Sequence, residues 1–240
     1  PSIEFMVNFI GQTLNLVSLD DFKLYCPAIV GFVLRTGTNF VQINGGDLFR
    51  QTAQKVFTCI EMYCSNPDAW IPKSVLTLLN ALFVVDANST MALCNPGILD
   101  VWKQHMIYPI SIPAAVNIIQ IITDVDQKCE LLAIVLDLVY LHLIFKSISK
   151  VKLCGECEDE YDDDFENFDD DSDYDDDFEE PTKACRWYTE NHILEFIKPL
   201  YQSYEPGNPL FARCDPQKFE ALMSYQHHKN LLLQISAEGP

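Results

Sequence analysis

IEFMVNFIGQTLNLV (residues 3–17) places Ile3, Phe5, Met6, Phe9, Ile10, Leu14 and Val17 near helical spacing, an apolar stripe on a 3.6-residue period. The same pattern returns along the chain. Ser18 and Asp20 stand where a cap would open the next helix, DDFKLYCPAIVGFVLRTG, which ends near Gly37; Pro27 inside it is expected to kink or split it. Asp47 is the expected N-cap of LFRQTAQKVFTCIEMYC (48–64). Asn66 and Pro67 predict a turn, and Pro72 fits the first turn of the helix that follows. NPGILDVWKQHMI and SIPAAVNIIQIITDV supply two more helical segments, and DQKCELLAIVLDLVYLHLIFKSI, opening near Asp126, closes the first 150 residues. Strand signals are poor. The Asn-Gly-Gly at 44–46 lies between helical patterns and not between alternating ones.

The helical pattern stops and then resumes. NHILEFIKPLYQSY (191–204) sets Ile193, Leu194, Phe196, Ile197, Leu200 and Tyr201 on one face. EPGNPLFARCD is a Pro/Gly turn, and DPQKFEALMSYQHHKNLLLQIS (215–236) opens with Asp215 as N-cap and Pro216 at the first helical position. The expected fold is therefore all-α. Helix pairs at an interval of roughly 40 residues point to a HEAT-type α-solenoid, with an irregular helical bundle as the rival. Three regions follow: helical repeats over 1–150, an acidic and aromatic-containing flexible loop over 151–186, and a terminal helix pair over 187–240. The opening residues read as the middle of a helix, so a fragment of a longer or processed chain is expected. A solenoid unit buries its apolar face only against neighbours, which agrees with that expectation.

Between the two helical parts lies ECEDEYDDDFENFDDDSDYDDDFEE (156–180), with 17 Asp or Glu and no Lys or Arg. The formal net charge of the chain is −19; without those 17 acids it would be −2, so the acidity is local. Such a block repels itself, stays solvated and often meets basic partners. It argues against direct nucleic-acid binding and against an anionic membrane surface. Five rings interrupt it: Tyr161, Phe165, Phe168, Tyr174 and Phe178. A plain spacer gains nothing from them. Set among Asp162, Asp163, Asp164, Asp169, Asp170, Asp171, Asp175, Asp176 and Asp177, they offer apolar anchors in an anionic field. That suits a basic protein partner, with charge steering the encounter and rings stacking on Arg. Docking of the rings on the chain's own solenoid is the competing reading. Ser172, inside DDDSDYDDD, is a candidate for an acid-directed kinase.

Other chemistry finds little support. CGEC (154–157) is a lone CxxC; Cys185 and His192 lie beyond the acidic run, and a structural zinc site needs four ligands. His227 and His228 are adjacent and so point about 100° apart on a helix. His105 and His142 sit in apolar helical contexts and read as satisfied or partly exposed side chains. Nine Cys, odd in number and scattered, suit reduced thiols better than a disulfide framework. The apolar window 129–145 carries Glu130, Asp137 and His142 and is short for a membrane span, so it reads as a core helix. Motifs of nucleotide binding, zinc proteolysis and serine hydrolysis are absent, and no cofactor or enzymatic activity is expected.

The order of features carries a resemblance. Helical repeats lead to DVDQKCELLAIVLDLV, then the acidic run, then YTENHILEFIKPLYQSYEPGNPLF and FEALMSYQ. This resembles the C-terminal region of the importin-beta superfamily (karyopherins), most closely the importin seven/eight and importin nine branches. In those branches a helix with an Asp-x-Lys-like opening precedes an acidic insertion, and a helix pair ends the solenoid. Asp126, Lys128, Leu131, Leu132 and Leu136 occupy the matching places, and the helix of Trp102 is similar to an upstream Trp-containing helix. Pro109 and Pro113 between them, and a short acidic run, depart from the pattern. The resemblance implies a nuclear transport receptor shuttling between cytoplasm and nucleus. It would carry basic protein cargo such as ribosomal proteins or histones. The small GTPase Ran would release that cargo, binding mainly through repeats missing from this chain, and nucleoporin repeats are possible further partners.

Overall fold

The computed structural model describes residues 2–65, 70–106, 110–141 and 207–225. Its helices are α1 (Ile3–Leu16), α2 (Leu19–Thr36), α3 (Asp47–Cys64), α4 (Lys73–Val85), α5 (Ala87–Leu93), α6 (Pro96–Gln104), α7 (Ser111–Ile121) and α8 (Val125–Val139). A ninth, α9, starts at 216 and is described to 225. No strand occurs among the described residues, so the fold is all-α there.

Local chemistry sets the boundaries. Ser2 caps α1, its hydroxyl accepting from the Phe5 N–H, so the opening residues are a helix start and not a helix middle. Ser18 caps α2 in the same way through the Asp21 N–H, as its position implied. Asp47 is not the cap of α3. The residue before it, Gly46, is left-handed (φ 88°) and takes the cap position, which makes Asp47 the first helical residue and leaves it paired with Arg50. Asn44 (φ 52°) and Gly45 (φ 64°) are left-handed too, and they break the 3-10 segment Gly37–Gly46. Asp86 ends α4 and caps α5 through the Ser89 N–H. Asn95 caps α6 and Asp124 caps α8, while Pro72 sits one residue before α4.

Pro27 neither kinks α2 into two helices nor ends it. A proline at this position cannot donate to the carbonyl four residues back, which is that of Lys23. The Ser74 hydroxyl, from the first turn of α4, donates to the Lys23 carbonyl at 3.0 Å. The acceptor left over by the proline is thus used between helices.

Packing follows an alternating rule. Successive helices touch as pairs (α1 with α2, α3 with α4, α7 with α8), and alternate helices stack side by side. One row holds α1, α3 and α5–α6; the other holds α2, α4 and α7, with α2 against α4 its most extensive contact. Within the second row α4 and α7 run parallel. Asn80 meets Ser111, and further along both helices the carbonyls of Phe83 and Val84 accept from the Asn117 amide at 3.3 and 3.1 Å.

The centre is α4, whose Val75, Leu76, Leu78, Leu79, Ala81, Leu82 and Phe83 are all buried. A helix apolar on most faces belongs in the interior. Phe32, Phe40 and Phe49 form an edge-to-face chain at 6.0 and 6.1 Å. Phe83 packs on Trp102 at 5.2 Å, and the indole N–H of Trp102 donates to Asn80 Oδ1 at 2.8 Å. Lys55 of α3 donates to the carbonyls of Leu14 and Val17 at 3.1 and 2.7 Å, satisfying the end of α1, and lies over the Phe22 ring. Among the described residues no helix is long and apolar enough to cross a membrane. In α8 the buried residues include Leu131, Leu132, Val135 and Leu136, while Glu130 and Asp137 reach partners at the surface.

Candidate functional site

The acidic run lies outside the described residues, and with it Tyr161, Phe165, Phe168, Tyr174, Phe178, their Asp neighbours and Ser172. So do the CGEC motif, Cys185, His192, His142, His227, His228 and the 191–204 segment. What the structure does describe is the platform on either side. The described residues stop at Leu141 and resume at Gly207, and Pro209 lies against α8.

The platform is built by short local devices. Asn208 caps a 3-10 turn, Pro209–Phe211, by accepting from the Leu210 N–H. The Cys129 thiol of α8 donates to the Pro209 carbonyl at 3.3 Å. Asp215 accepts from the Gln217 N–H at 2.9 Å and opens α9, with Pro216 at its first position as the sequence implied. Phe211, Phe219 and Leu222 are buried, and the first two meet edge-to-face at 5.9 Å. Two cations hold the unit to α8. Lys218 bonds Asp137 at 2.7 Å and lies over the Tyr140 ring at 6.0 Å; Arg213 reaches Asp126 at 3.6 Å. The Asp137 hydrogen bond raises the Lys218 pKa above its ordinary value. Arg213 and Lys218 were not singled out from sequence. Their signal was rarity: the chain holds 16 Lys and Arg against 35 Asp and Glu, and these two follow the acidic run.

Nucleophilic and metal chemistry can be judged on the described side chains. Among them no group of three or more His, Cys, Asp or Glu is placed to hold a metal ion. Cys26, Cys59, Cys64, Cys94, Cys129 and Cys214 are free thiols. Burial pushes Cys59, Cys94 and Cys214 up to about 11 and raises Cys26 further. A thiol so shifted holds its proton at neutral pH and is a poor nucleophile. His105 is half-buried at the end of α6, with Nδ1 2.9 Å from the Val101 carbonyl, a satisfied histidine. Lys103 is shared between Asp100 and Glu130 at 3.1 and 3.0 Å, joining α6 to α8; burial opposes its charge, and the two carboxylates more than offset that.

Comparison with protein-family models, with curated proteins and with solved structures finds no match to this chain.

Proposed function

We propose that this chain is the C-terminal part of a nuclear import receptor that carries basic protein cargo through nuclear pores under Ran-GTP control. Its fold would be a HEAT-type solenoid, and its acidic segment would contact or shield cargo. The observation that carries the reading is the packing of alternate helices in two rows, α1–α3–α5/α6 and α2–α4–α7. Stacked hairpins of this kind make an extended surface that wraps a partner. The platform on α8 supports the rest of it. The 25 residues that hold 17 acids lie in sequence between α8 and residues 209–218, which pack on each other, and that would make the segment an insertion projecting from the stack. A receptor of this kind performs no reaction; it couples two binding equilibria.

The test is capture from the cells that make the protein. Immunoprecipitates should hold basic nuclear proteins and release them when Ran-GTP is added. Capture indifferent to Ran-GTP would favour a helical scaffold or acidic chaperone for histones or ribosomal proteins, which the same acidic segment would serve. Absence of basic proteins would sink both readings.

A further inference from the structure

The outer faces of α1 and α3 leave an open groove of about 510 Å³, continued by a second hollow of about 280 Å³ that shares Asn15 and Gln51 with it. Its walls are amides. Asn8, Gln12 and Asn15 come from α1, and Gln51 and Gln54 from α3. Asn15 bonds the Gly11 carbonyl at 2.8 Å through its NH2, which leaves its oxygen available. Asn8, Gln12, Gln51 and Gln54 are exposed, and their side chains make no hydrogen bond among the described residues. The floor is aliphatic (Val7, Leu14, Leu48) and opens at Gly11, where an added Cβ would meet nothing within 4 Å.

From this we infer that the α1–α3 groove binds an extended, uncharged peptide segment of a partner protein through that segment's backbone. Each free amide offers a donor and an acceptor, the complement of a peptide C=O and N–H. Asn8, Gln12 and Asn15 recur once per turn and span about 10 Å, the length of roughly three extended residues. Thr58 extends the α3 ladder of Gln51 and Gln54 over the same distance, about 10 Å. The two charged groups of the lining already have protein partners. Asp47 is paired with Arg50, and Lys55 is spent on the carbonyls of Leu14 and Val17. A sugar face or nucleobase finds no ring to stack on, because none lines the groove. Reading a backbone in this way tolerates many sequences and ignores salt, whereas binding by the acidic segment would be steep in salt. The site is therefore separate from the one proposed above.

The test titrates the whole chain with extended peptides about ten residues long, free of Asp, Glu, Lys and Arg, and with a panel of neutral oligosaccharides. Side-chain NH2 resonances of Gln12, Gln51 and Gln54 should shift with peptide. Affinity should change less than about twofold between about 50 and 500 mM salt. Gln12→Ala with Gln51→Ala should weaken binding by about tenfold or more. Gly11→Leu projects into open space, should keep the helical spectrum, and should abolish binding. Deleting 156–180 should leave peptide binding intact, so its outcome is independent of the acidic segment. Failure of every uncharged peptide to bind would overturn the inference. So would Gly11→Leu binding as wild type, binding lost at high salt, or oligosaccharides binding in place of peptides.

Discussion

Trp102→Phe removes one N–H from the interior and leaves most of the ring stack in place. Trp102 and Asn80 are 1% exposed and Ser111 is fully buried, so water cannot replace what is lost. Asn80 Oδ1 then loses the donor it holds at 2.8 Å, which costs about 1–3 kcal/mol for a buried acceptor left unmade. The smaller ring leaves a void of roughly 40 Å³, and at about 24 cal/mol per Å³ this adds about 1 kcal/mol. The expected loss is about 2–4 kcal/mol, a large part of the ~5–15 kcal/mol that holds a domain. The effect also has a signature. Asn80→Leu removes the acceptor too, so Trp102→Phe in that background should cost about 1–2 kcal/mol less than in wild type. Urea unfolding followed by far-ultraviolet circular dichroism in reducing buffer measures all four corners. A single-mutant cost below about 0.5 kcal/mol, or costs that simply add, would refute the claim that this network fixes α4 against α6 and α7.

The Ser74 hydroxyl serves the Lys23 carbonyl only because Pro27 does not, so Ser74→Ala should cost about 0.5–1 kcal/mol in wild type and near nothing in a Pro27→Ala chain, read by the same unfolding assay. Lys218→Ala should loosen 207–225 from α8 by about 0.5–1 kcal/mol, seen as faster amide exchange there and unchanged exchange in α4; the pair Lys218→Asp with Asp137→Lys should restore protection. Cys59 is buried and its thiol is raised from 9.0 to about 11, with Cys26 beside it raised as well. Because the folded pKa lies above the unfolded one, the stability linked to each thiol is complete below about pH 9 and falls as pH climbs toward 11, by up to about 1.4 kcal/mol per unit. Unfolding at about pH 8 and pH 10 should show that loss in wild type and a smaller one in Cys59→Ala.

Much of the fold was legible because its signals are local. Ser18 before an apolar-periodic run, and Asp215 before Pro216, announce helix starts that the structure has. The misreadings share a cause: a distant or immediately adjacent group decided the outcome. Pro27 reads as a breaker until Ser74, 47 positions away, is brought to the carbonyl it frees. Asp47 reads as a cap until the left-handed Gly46 takes that place. The charge of the acidic segment was plain from composition, whereas the cations that fasten 207–225 to α8 were not. The amide groove was invisible in sequence, since Gln12 and Gln51 become neighbours only when α1 stacks on α3.

The central claim is that the acidic segment holds basic protein. Its most direct test is the affinity of the intact chain, and of a chain lacking 156–180, for a core histone dimer across a salt series. The intact chain should bind at about 50 mM salt and lose about tenfold or more in affinity by about 300 mM, as screening removes the contribution of its 17 carboxylates. The deleted chain should bind at least about tenfold more weakly at low salt, with a nearly flat salt dependence. Equal affinity and equal slope for the two chains would contradict the account and leave the segment a spacer.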